Sequence, residues 1–292
     1  MLEFRQIRLE DKKAYEALLE GKNYYLCDLC FVDIFIWGQY SSQIAITEDF
    51  VFLKINTDDG VVFLPPLGKG ALTEGISLLK EYTRAKGIGL TMVAVPTDIK
   101  QELEAVYGAD FEIFENRSKF NYIYTSQSLM TLKGKKLHSK RNHINKFMSV
   151  YGDAWSYEPL DDENTREFFS YHLDWCEINE GNFLGETCAI STALKNRKEL
   201  GLAGGVLRLE GKIVAVTLGS VFGDSFIVHF EKADGAIQGV YQMINQQFAI
   251  HNFENIKYVN REEDLGIEGL RKAKLSYYPE FLAESYTCKY LK

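Results

Sequence analysis

The sequence predicts an α/β fold with mixed sheets, built as two similar units. The chain has 292 residues, of which 46% are apolar and 25% charged, and these are the values of a globular chain long enough for two ordinary domains. Along the chain, the spacing of apolar residues switches repeatedly between the repeat typical of strands and the repeat typical of helices. The predicted order β, α, α, β, β, β, α, β, α, β occurs in each half. Three consecutive hairpin-linked strands argue against a dinucleotide-binding repeat of βαβ units.

The first half supplies the first copy of this order. Helical spacing over 73–86 ends at Gly87, a residue that suits a helix C-terminus. The last two strands are expected to pair and close the unit. The predicted strands are 3–7, 43–47, 50–55, 61–64, 90–95, 111–114 and 120–125, and the predicted helices are 9–19, 25–40, 73–86 and 97–106.

The second half repeats the order without repeating the residues. Its strands are predicted at 155–160, 205–210, 212–222, 225–231, 256–259 and 281–290, and its helices at 163–178, 187–200, 238–252 and 268–278. We therefore predict units over 1–128 and 151–292, joined by a basic connecting helix over 129–150. The second unit is expected to be the active one, because the charged motifs lie in it or at its boundary.

Positive charge is concentrated in one segment of an acidic chain. The formal net charge is −8, yet residues 116–152 contain no Asp or Glu. An acidic protein with one basic segment favours a local anionic partner over general affinity for nucleic acid. The basic residues are Arg117, Lys119, Lys133, Lys135, Lys136, Lys140, Arg141 and Lys146.

The sequence gives no indication of a membrane segment, a signal peptide or a metal site. No uncharged apolar run reaches roughly 18 residues, and the first residues lack the apolar core of a signal peptide, so a cytoplasmic location is expected. Cys27 and Cys30 form the one Cys-x-x-Cys pair, either two core thiols on a helix or a redox or metal pair. His138 and His143 are five residues apart, off a shared helical face. We identify no Ser-His-acid pattern.

A stretch rich in charges of both signs follows the predicted strand 256–259. Loops at the carboxyl ends of strands are where α/β proteins place ligand chemistry. Gly266 and Gly269 free the turn for such a role. A closed salt-bridge network that locks the turn is the competing interpretation. The candidate substrate-binding residues in or just after this stretch are Asn260, Glu262, Arg271, Lys274 and Tyr278.

Arg141 is a further candidate substrate-binding residue. Over 133–148 the apolar residues have helical spacing, and Arg141 falls on the same stripe as Leu137 and Ile144. A charge on an apolar stripe is costly unless it is paired. Two partners remain open: a buried carboxylate, or an anionic ligand in a cleft between the units.

Glu231 is the candidate catalytic residue. It ends the predicted strand 225–231 and alternates with His229 along it. A carboxylate there could accept a proton from an attacking amine if burial raised its pKa towards neutrality. The alternative is a simple ion pair with Lys232 or Arg271.

The element order resembles the GNAT acyltransferase fold, present twice. Tandem units of this kind resemble the Fem-type peptidyltransferases and the soluble C-terminal domain of phosphatidylglycerol lysyltransferases. The matching motifs are residues 132–147 and the stretch from Asn260 to Lys274 with Tyr277-Tyr278-Pro279 after it. The resemblance covers essentially the whole chain and implies transfer of an acyl or aminoacyl group to an amine or hydroxyl acceptor, such as a small amine-bearing molecule.

The resemblance also implies a donor site at the start of helix 238–252. Backbone N–H groups at such a helix start hold the donor's pyrophosphate, here through Gly235, Gln238 and Gly239. The acetyl-CoA pattern expects Gln or Arg before the first glycine, whereas this chain has Ala233 and Asp234. That departure favours an aminoacyl-tRNA donor, with tRNA bound through residues 133–146, over acyl-CoA. The alternatives are a non-catalytic ligand- or tRNA-binding module and an acetyl-CoA-dependent N-acetyltransferase.

Overall fold

The computed structural model describes residues 1–39, 41–178 and 184–292. Tyr40, where the predicted helix 25–40 ended, lies outside the described residues. The start of that prediction is wrong, because Cys27–Leu29 forms a single 3₁₀ turn before the helix. The described helices are α1 Asp11–Leu18, α2 Phe31–Trp37, α3 Leu72–Lys86, α4 Thr97–Tyr107, α5 Ser126–Thr131, α6 His138–Tyr151, α7 Thr165–Ile178, α8 Leu184–Lys195, α9 Arg197–Leu200, α10 Val240–Asn252 and α11 Glu268–Leu275. Helix α3 ends as predicted, with Gly87 in the left-handed conformation.

The strands form two mixed sheets. The strands are β1 Arg5–Gln6, β2 Ser42–Ile46, β3 Phe50–Thr57, β4 Gly60–Phe63, β5 Leu67–Gly68, β6 Thr91–Val95, β7 Phe111–Glu115, β8 Asn121–Thr125, β9 Trp155–Pro159, β10 Ala203–Leu209, β11 Lys212–Phe222, β12 Ser225–Ala233, β13 Tyr258–Asn260, β14 Phe281–Ala283 and β15 Tyr286–Tyr290.

Each sheet contains a strand from the other half of the chain. The first sheet has the order β1-β2-β3-β4-β6-β15-β7, with β5 paired to β3, and the second has β14-β8-β13-β12-β11-β10-β9. The predicted pairing of 111–114 with 120–125 is therefore wrong, since β7 and β8 belong to different sheets. The predicted strand 281–290 is two strands, β14 and β15, one in each sheet. Alternation of apolar and polar residues identifies a strand but not the strand that pairs with it. The sequence therefore could not reveal that strands from one half of the chain join the sheet of the other half.

Contacts divide the chain into two compact units. The first comprises 1–121, 263–267 and 282–292, and the second comprises 122–262 and 268–281. The Asn260–Lys274 stretch is thus divided, with Arg261 and Glu262 in the second unit and Glu263 and Asp264 in the first. The divisions at 128 and 150 stay predictions from the sequence.

The core of the second unit places its sheet beneath α6 and α10. Phe147 from α6 and Ile244 from α10 are fully buried against Leu207 and Ala215 of the sheet. The helix predicted over 129–150 is in fact α5 and α6, separated by a loop in which Gly134 has a φ of 93°. Because α6 and α10 pack in the same core, the loop at the start of α10 lies close to α6.

No helix in the described part of the chain is both long enough and apolar enough to cross a membrane.

Candidate functional site

The candidate site lies in the second unit, where two parallel strands stop pairing. Strands β12 and β13 run parallel, and their last paired residues are Ile227 and Asn260. Just beyond this point the register of β12 against β11 shifts, because Leu218 pairs with Phe230 while Gly219 pairs with Val228. His229 is therefore the extra residue of a β-bulge. Bulges next to functional sites redirect side chains, and beside this one His229 and Glu231 have different hydrogen-bond partners.

Glu231 and Arg261 form a buried ion pair on these two strands. Arg261 Nη2 lies 2.8 Å from Glu231 Oε1, with 14% and 12% of the side chains exposed. Asn245 of α10 donates to Glu231 Oε2 at 3.0 Å. Burial opposes the positive charge, but the Glu231 carboxylate raises the pKa of Arg261 above its ordinary value. Glu231 thus pairs with Arg261, and neither of the two partners predicted for it, Lys232 and Arg271, occupies its oxygens.

Three polar atoms around this pair are buried without a hydrogen-bond partner among the described residues. They are Arg261 Nη1, Thr217 Oγ1 and Asn245 Oδ1. Thr217 is the cross-strand neighbour of Glu231. A buried polar atom without a partner costs roughly 1–3 kcal/mol, and functional sites are a common reason for such atoms. We refer to Thr217, Glu231, Asn245 and Arg261 as the arginine cluster.

Two further side chains border the arginine cluster. The Tyr277 ring lies 4.8 Å from the Arg261 guanidinium and 4.2 Å from Lys140 Nζ. Lys140 also donates to Ser276 Oγ at 2.6 Å. Burial, and then the charge of Arg261, lower the pKa of Lys140. Lys140 thus differs from the exposed lysines of its segment, because only 8% of it is exposed.

A second row of hydrogen bonds passes through the bulged histidine. Ser220 Oγ lies 2.8 Å from His229 Nε2, and His229 Nδ1 lies 3.1 Å from Glu262 Oε1. The sequence analysis found no Ser-His-acid pattern, and the structure corrects this by bringing the three together. A hydroxyl, an imidazole and a carboxylate in this order can move a proton along the row. We refer to Ser220, His229 and Glu262 as the histidine row.

The backbone around Glu262 is held in an unusual conformation. Glu262 has a φ of 55°, which few residues other than glycine adopt. The Glu262 N–H donates to Asn260 Oδ1 at 2.7 Å, so this turn is fixed by Asn260. Asn260 is completely buried and shapes the turn. Glu262 has 20% of its side chain exposed and is therefore the accessible end of the histidine row.

The other predicted substrate-binding residues of this stretch take different positions. Lys274 is nearly buried, and its Nζ donates to the Arg261 carbonyl. It thereby supports the strand that carries Arg261. Arg271 is half-buried on α11, and Tyr278 is exposed with a φ of 55°. Their roles in binding stay predictions.

Arg141 has main-chain partners in its own segment. Its Nη1 donates to the carbonyls of Leu132 and Gly134. Among the described residues no carboxylate pairs with Arg141, and the guanidinium fixes the loop before α6. An anionic ligand at Arg141 stays a prediction. The side chains that remain exposed in the segment 133–146 include Lys133, Lys135, Lys136, His143 and Lys146.

The predicted donor loop joins β12 to α10. The Ala236 N–H donates to Asp234 Oδ1 at 2.9 Å, so a carboxylate of the chain already occupies this loop amide. Gly239 has a φ of 88°, and a Cβ there would lie 2.4 Å from the His143 carbonyl oxygen, so α6 occupies the space at this glycine. Gly235 has open space around it, and Gln238 is exposed.

In the first unit, the remaining charges of the stretch are paired. Lys119 binds Glu263 at 2.9 Å, and Arg117 binds Asp264 at 3.1 Å. Cys27 Sγ also donates to Glu263 at 3.2 Å. These pairs support the competing interpretation of the stretch, a closed salt-bridge network, for Glu263 and Asp264. Cys27 and Cys30 are both buried, and neither forms a disulfide bond with a described residue.

Sequence reasoning missed most of the residues that complete the two clusters. Ser220, Thr217 and Asn245 lie on a strand and a helix with no distinguishing motif. A detectable signal was the presence of isolated polar residues, Thr217 and Ser220 in one strand and His229 and Glu231 in the next, within otherwise apolar strands. A buried polar residue in an apolar strand requires a partner, which is a reason to search for one.

Three solved structures share the fold. A conserved protein of unknown function from Bacteroides thetaiotaomicron is 37% identical, with both chains covered over 100% of their length and a TM-score of 0.95. L-PGS from Bacillus licheniformis is 15% identical, with 96% of this chain and 91% of that one covered and a TM-score of 0.67. A tandem GNAT protein from the clavulanic acid biosynthesis pathway is 10% identical, with coverage of 100% and 99% and a TM-score of 0.50. The predicted tandem GNAT-like fold is confirmed.

A curated relative and a family profile complete the comparison. An uncharacterized protein of Mycoplasmoides gallisepticum is 26% identical over 187 residues, which are 62% of this chain and 59% of that protein. The chain thus matches somewhat more than half of that relative's length. The profile of the family described as phosphatidylglycerol lysyltransferase, C-terminal, matches residues 23–289. The chain therefore belongs to the phosphatidylglycerol lysyltransferase C-terminal family.

Proposed function

We propose that the chain transfers an aminoacyl group from aminoacyl-tRNA to an amine or hydroxyl acceptor, with the chemistry in the second unit. The observation that carries the proposal is the unpartnered Nη1 of Arg261 at the point where β12 and β13 stop pairing. A guanidinium N–H in a buried site is suited to stabilise the oxyanion that forms when a nucleophile attacks an ester carbonyl. Membership of the lysyltransferase family supports this class of reaction.

The structure changes the role that we propose for Glu231. Both of its oxygens already accept hydrogen bonds, from Arg261 and Asn245. We therefore assign it to positioning Arg261. Glu262 is the better proton acceptor, because it is the accessible end of the histidine row and His229 lies behind it. The acceptor amine or hydroxyl would lose its proton to Glu262 as it attacks the ester carbonyl. The ester C–O bond to the tRNA would then break, and Glu262 would return the proton to the tRNA hydroxyl that leaves.

The donor loop favours aminoacyl-tRNA over acyl-CoA. Asp234 places a carboxylate on the loop amide that a pyrophosphate would need, and like charges repel. The exposed lysines of residues 133–146 provide positive charge for an RNA backbone. Charged tRNA is a cytoplasmic molecule, so the proposal places the reaction in the cytoplasm. The acceptor would be a small molecule that carries an amine or a hydroxyl.

Thermal-shift measurements test the donor. We expect lysyl-tRNA or alanyl-tRNA to raise the melting temperature more than uncharged tRNA does, and acetyl-CoA to leave it unchanged, because a ligand stabilises the state that it binds. Arg261→Gln should remove the excess shift. Arg208→Gln is the matched control, since Arg208 is also 14% exposed and paired, but with Glu158 and Glu167. A shift with acetyl-CoA alone would refute the assignment of the donor.

Release of the aminoacyl group to a panel of amine- and hydroxyl-bearing acceptors tests the chemistry. Glu262→Gln should lower kcat by about 10²–10⁴-fold, the usual contribution of a general base, while the donor-induced thermal shift remains. Glu158→Gln should have no effect on either. Equal rates in Glu262→Gln and wild type would exclude Glu262 as the base.

A binding module without turnover is the second candidate. It is favoured by the pairing of both Glu231 oxygens, with Arg261 and with Asn245, which gives the carboxylate at the strand end a structural role. Donor binding that depends on Arg261, together with no aminoacyl release to any acceptor, would support this candidate and contradict the transferase.

A further inference from the structure

We propose that His172, Cys176 and Glu186 form a binding site for one divalent metal ion of the zinc class. We refer to them as the metal triad; they lie on α7 and α8 of the second unit, apart from the arginine cluster and the histidine row. The sequence analysis did not predict a metal site at these residues, because it considered only the Cys27–Cys30 pair and the spacing of His138 and His143. His172 and Cys176 are four residues apart and therefore share one face of α7, and the fold brings Glu186 of α8 to that face.

The distances within the metal triad suit a small cation. One ligand atom from each residue lies within 4.8 Å of the other two. Cys176 Sγ is 3.5 Å from His172 Nε2 and 3.7 Å from Nδ1. Tetrahedral zinc, with bonds of about 2.3 Å to sulfur and about 2.0 Å to nitrogen, separates these two ligands by about 3.5 Å. The Cys176 sulfur and His172 Nδ1, which are 3.7 Å apart, are therefore already close to the spacing of zinc ligands. No separation in the triad exceeds 4.8 Å, so side-chain movements of roughly 1–1.5 Å at most complete the site.

An unsatisfied carboxylate oxygen points to a ligand at this position. Glu186 Oε2 is buried and has no hydrogen-bond partner among the described residues. The other oxygen, Oε1, binds Lys232 Nζ at 2.9 Å. A carboxylate that binds a metal through one oxygen commonly has its other oxygen held by a second group, and Lys232 supplies that group. A cation would satisfy the oxygen that the protein leaves without a partner.

His172 is also oriented as metal-binding histidines are. It is completely buried, and its Nε2 lies 3.1 Å from Thr187 Oγ1. Histidine ligands usually donate their second ring N–H to an oxygen, which fixes the ring and selects the nitrogen that binds the metal. We therefore assign Nδ1 as the ligand atom and Nε2–H as the donor to Thr187.

The three ligand types select the metal. Thiolate and imidazole favour Zn²⁺ and Co²⁺, whereas Mg²⁺ and Ca²⁺ prefer oxygen ligands. Three protein ligands leave a fourth position for water or another group. Trp175 donates to the Ala233 carbonyl at 3.0 Å, and its ring lies 4.0 Å from Lys232 Nζ. A metal in the triad would therefore hold α7 and α8 against the end of β12, where the donor loop begins.

Cobalt titration of the chelator-treated full chain tests the site directly. Co²⁺ bound through a thiolate gives an intense charge-transfer band in the near ultraviolet. We expect wild-type protein to bind one equivalent with this band and to release Co²⁺ when Zn²⁺ is added. Cys176→Ser should abolish the band. Glu186→Gln, which keeps the side-chain volume, should weaken binding by at least about 10-fold, the lower effect known for groups around a metal.

Cys188→Ser is the matched control, because Cys188 also lies on α8 but is exposed and outside the metal triad. It should bind Co²⁺ as wild type does, and far-ultraviolet circular dichroism should show all variants folded. Wild-type protein that gives no charge-transfer band with excess Co²⁺ would overturn the proposal. Unchanged binding in Cys176→Ser or in Glu186→Gln would do so as well, because the metal would then lie elsewhere.

Discussion

Replacing Glu231 by alanine should destabilise the second unit more than any loss of a surface ion pair. At 2.8 Å the attraction between Glu231 and Arg261 amounts to about 6 kcal/mol with an effective dielectric constant of about 20. Part of this attraction offsets the cost of burying the charges. Removing one partner leaves the Arg261 guanidinium buried and uncompensated, and such losses measure about 3–5 kcal/mol. We therefore expect Glu231→Ala to lower the free energy of unfolding by that amount.

Urea unfolding followed by tryptophan fluorescence is the assay, with the midpoint as the measured quantity. Asp162→Asn is the control, because Asp162 also forms ion pairs in the second unit but its side chain is 70% exposed. Its midpoint should not change measurably. The double variant Glu231→Met with Arg261→Met should recover much of the loss, because no unpaired charge remains. A loss below about 1 kcal/mol in Glu231→Ala would refute the view that the pair is desolvated.

Two other properties of the chain can be tested in the same way. Gly239→Ala should lower the free energy of unfolding by at least about 1–3 kcal/mol through backbone strain, because Gly239 has a φ of 88° and a Cβ there would meet the His143 carbonyl at 2.4 Å. Gly235→Ala is the control, and because Gly235 has open space around it, its free energy of unfolding should change by no more than about 0.5 kcal/mol. Equal urea midpoints for the two variants would contradict the close packing at Gly239. In the first unit, burial and then the charge of Glu263 raise the pKa of Asp28 to about 7. A raised carboxyl pKa gives stability that is present below the unfolded value, about 3.9, and lost as pH rises through about 7. Relative to Asp28→Asn, the urea midpoint of the wild type should accordingly fall from about pH 4 to about pH 7. An identical pH dependence in the two proteins would refute this assignment.

The sequence located the charged turn correctly but not the partners of its charges. Because Asn260, Arg261 and Glu262 follow an apolar strand, a site at its end could be predicted from local pattern alone. Arg261 at the end of β13 pairs with Glu231 of the neighbouring strand β12. The charged residues Glu263 and Asp264 look no different in sequence, yet they pair within the first unit. Nothing local distinguishes the two sets, since partners come from residues 30 to 147 positions away.

The sequence by itself determined the type and order of most elements, the basic segment and the fold class, because period, turn residues and charge are local properties of the chain. Tertiary structure decided which strands pair, and it placed β15 in the first sheet and β8 in the second. It also decided the neighbours of each buried polar group. A bulge at His229 joins Ser220 to Glu262, and the packing of α7 on α8 brings Glu186 to His172. Such contacts depend on how distant segments pack, because a buried polar atom takes its partner from whatever the fold places beside it.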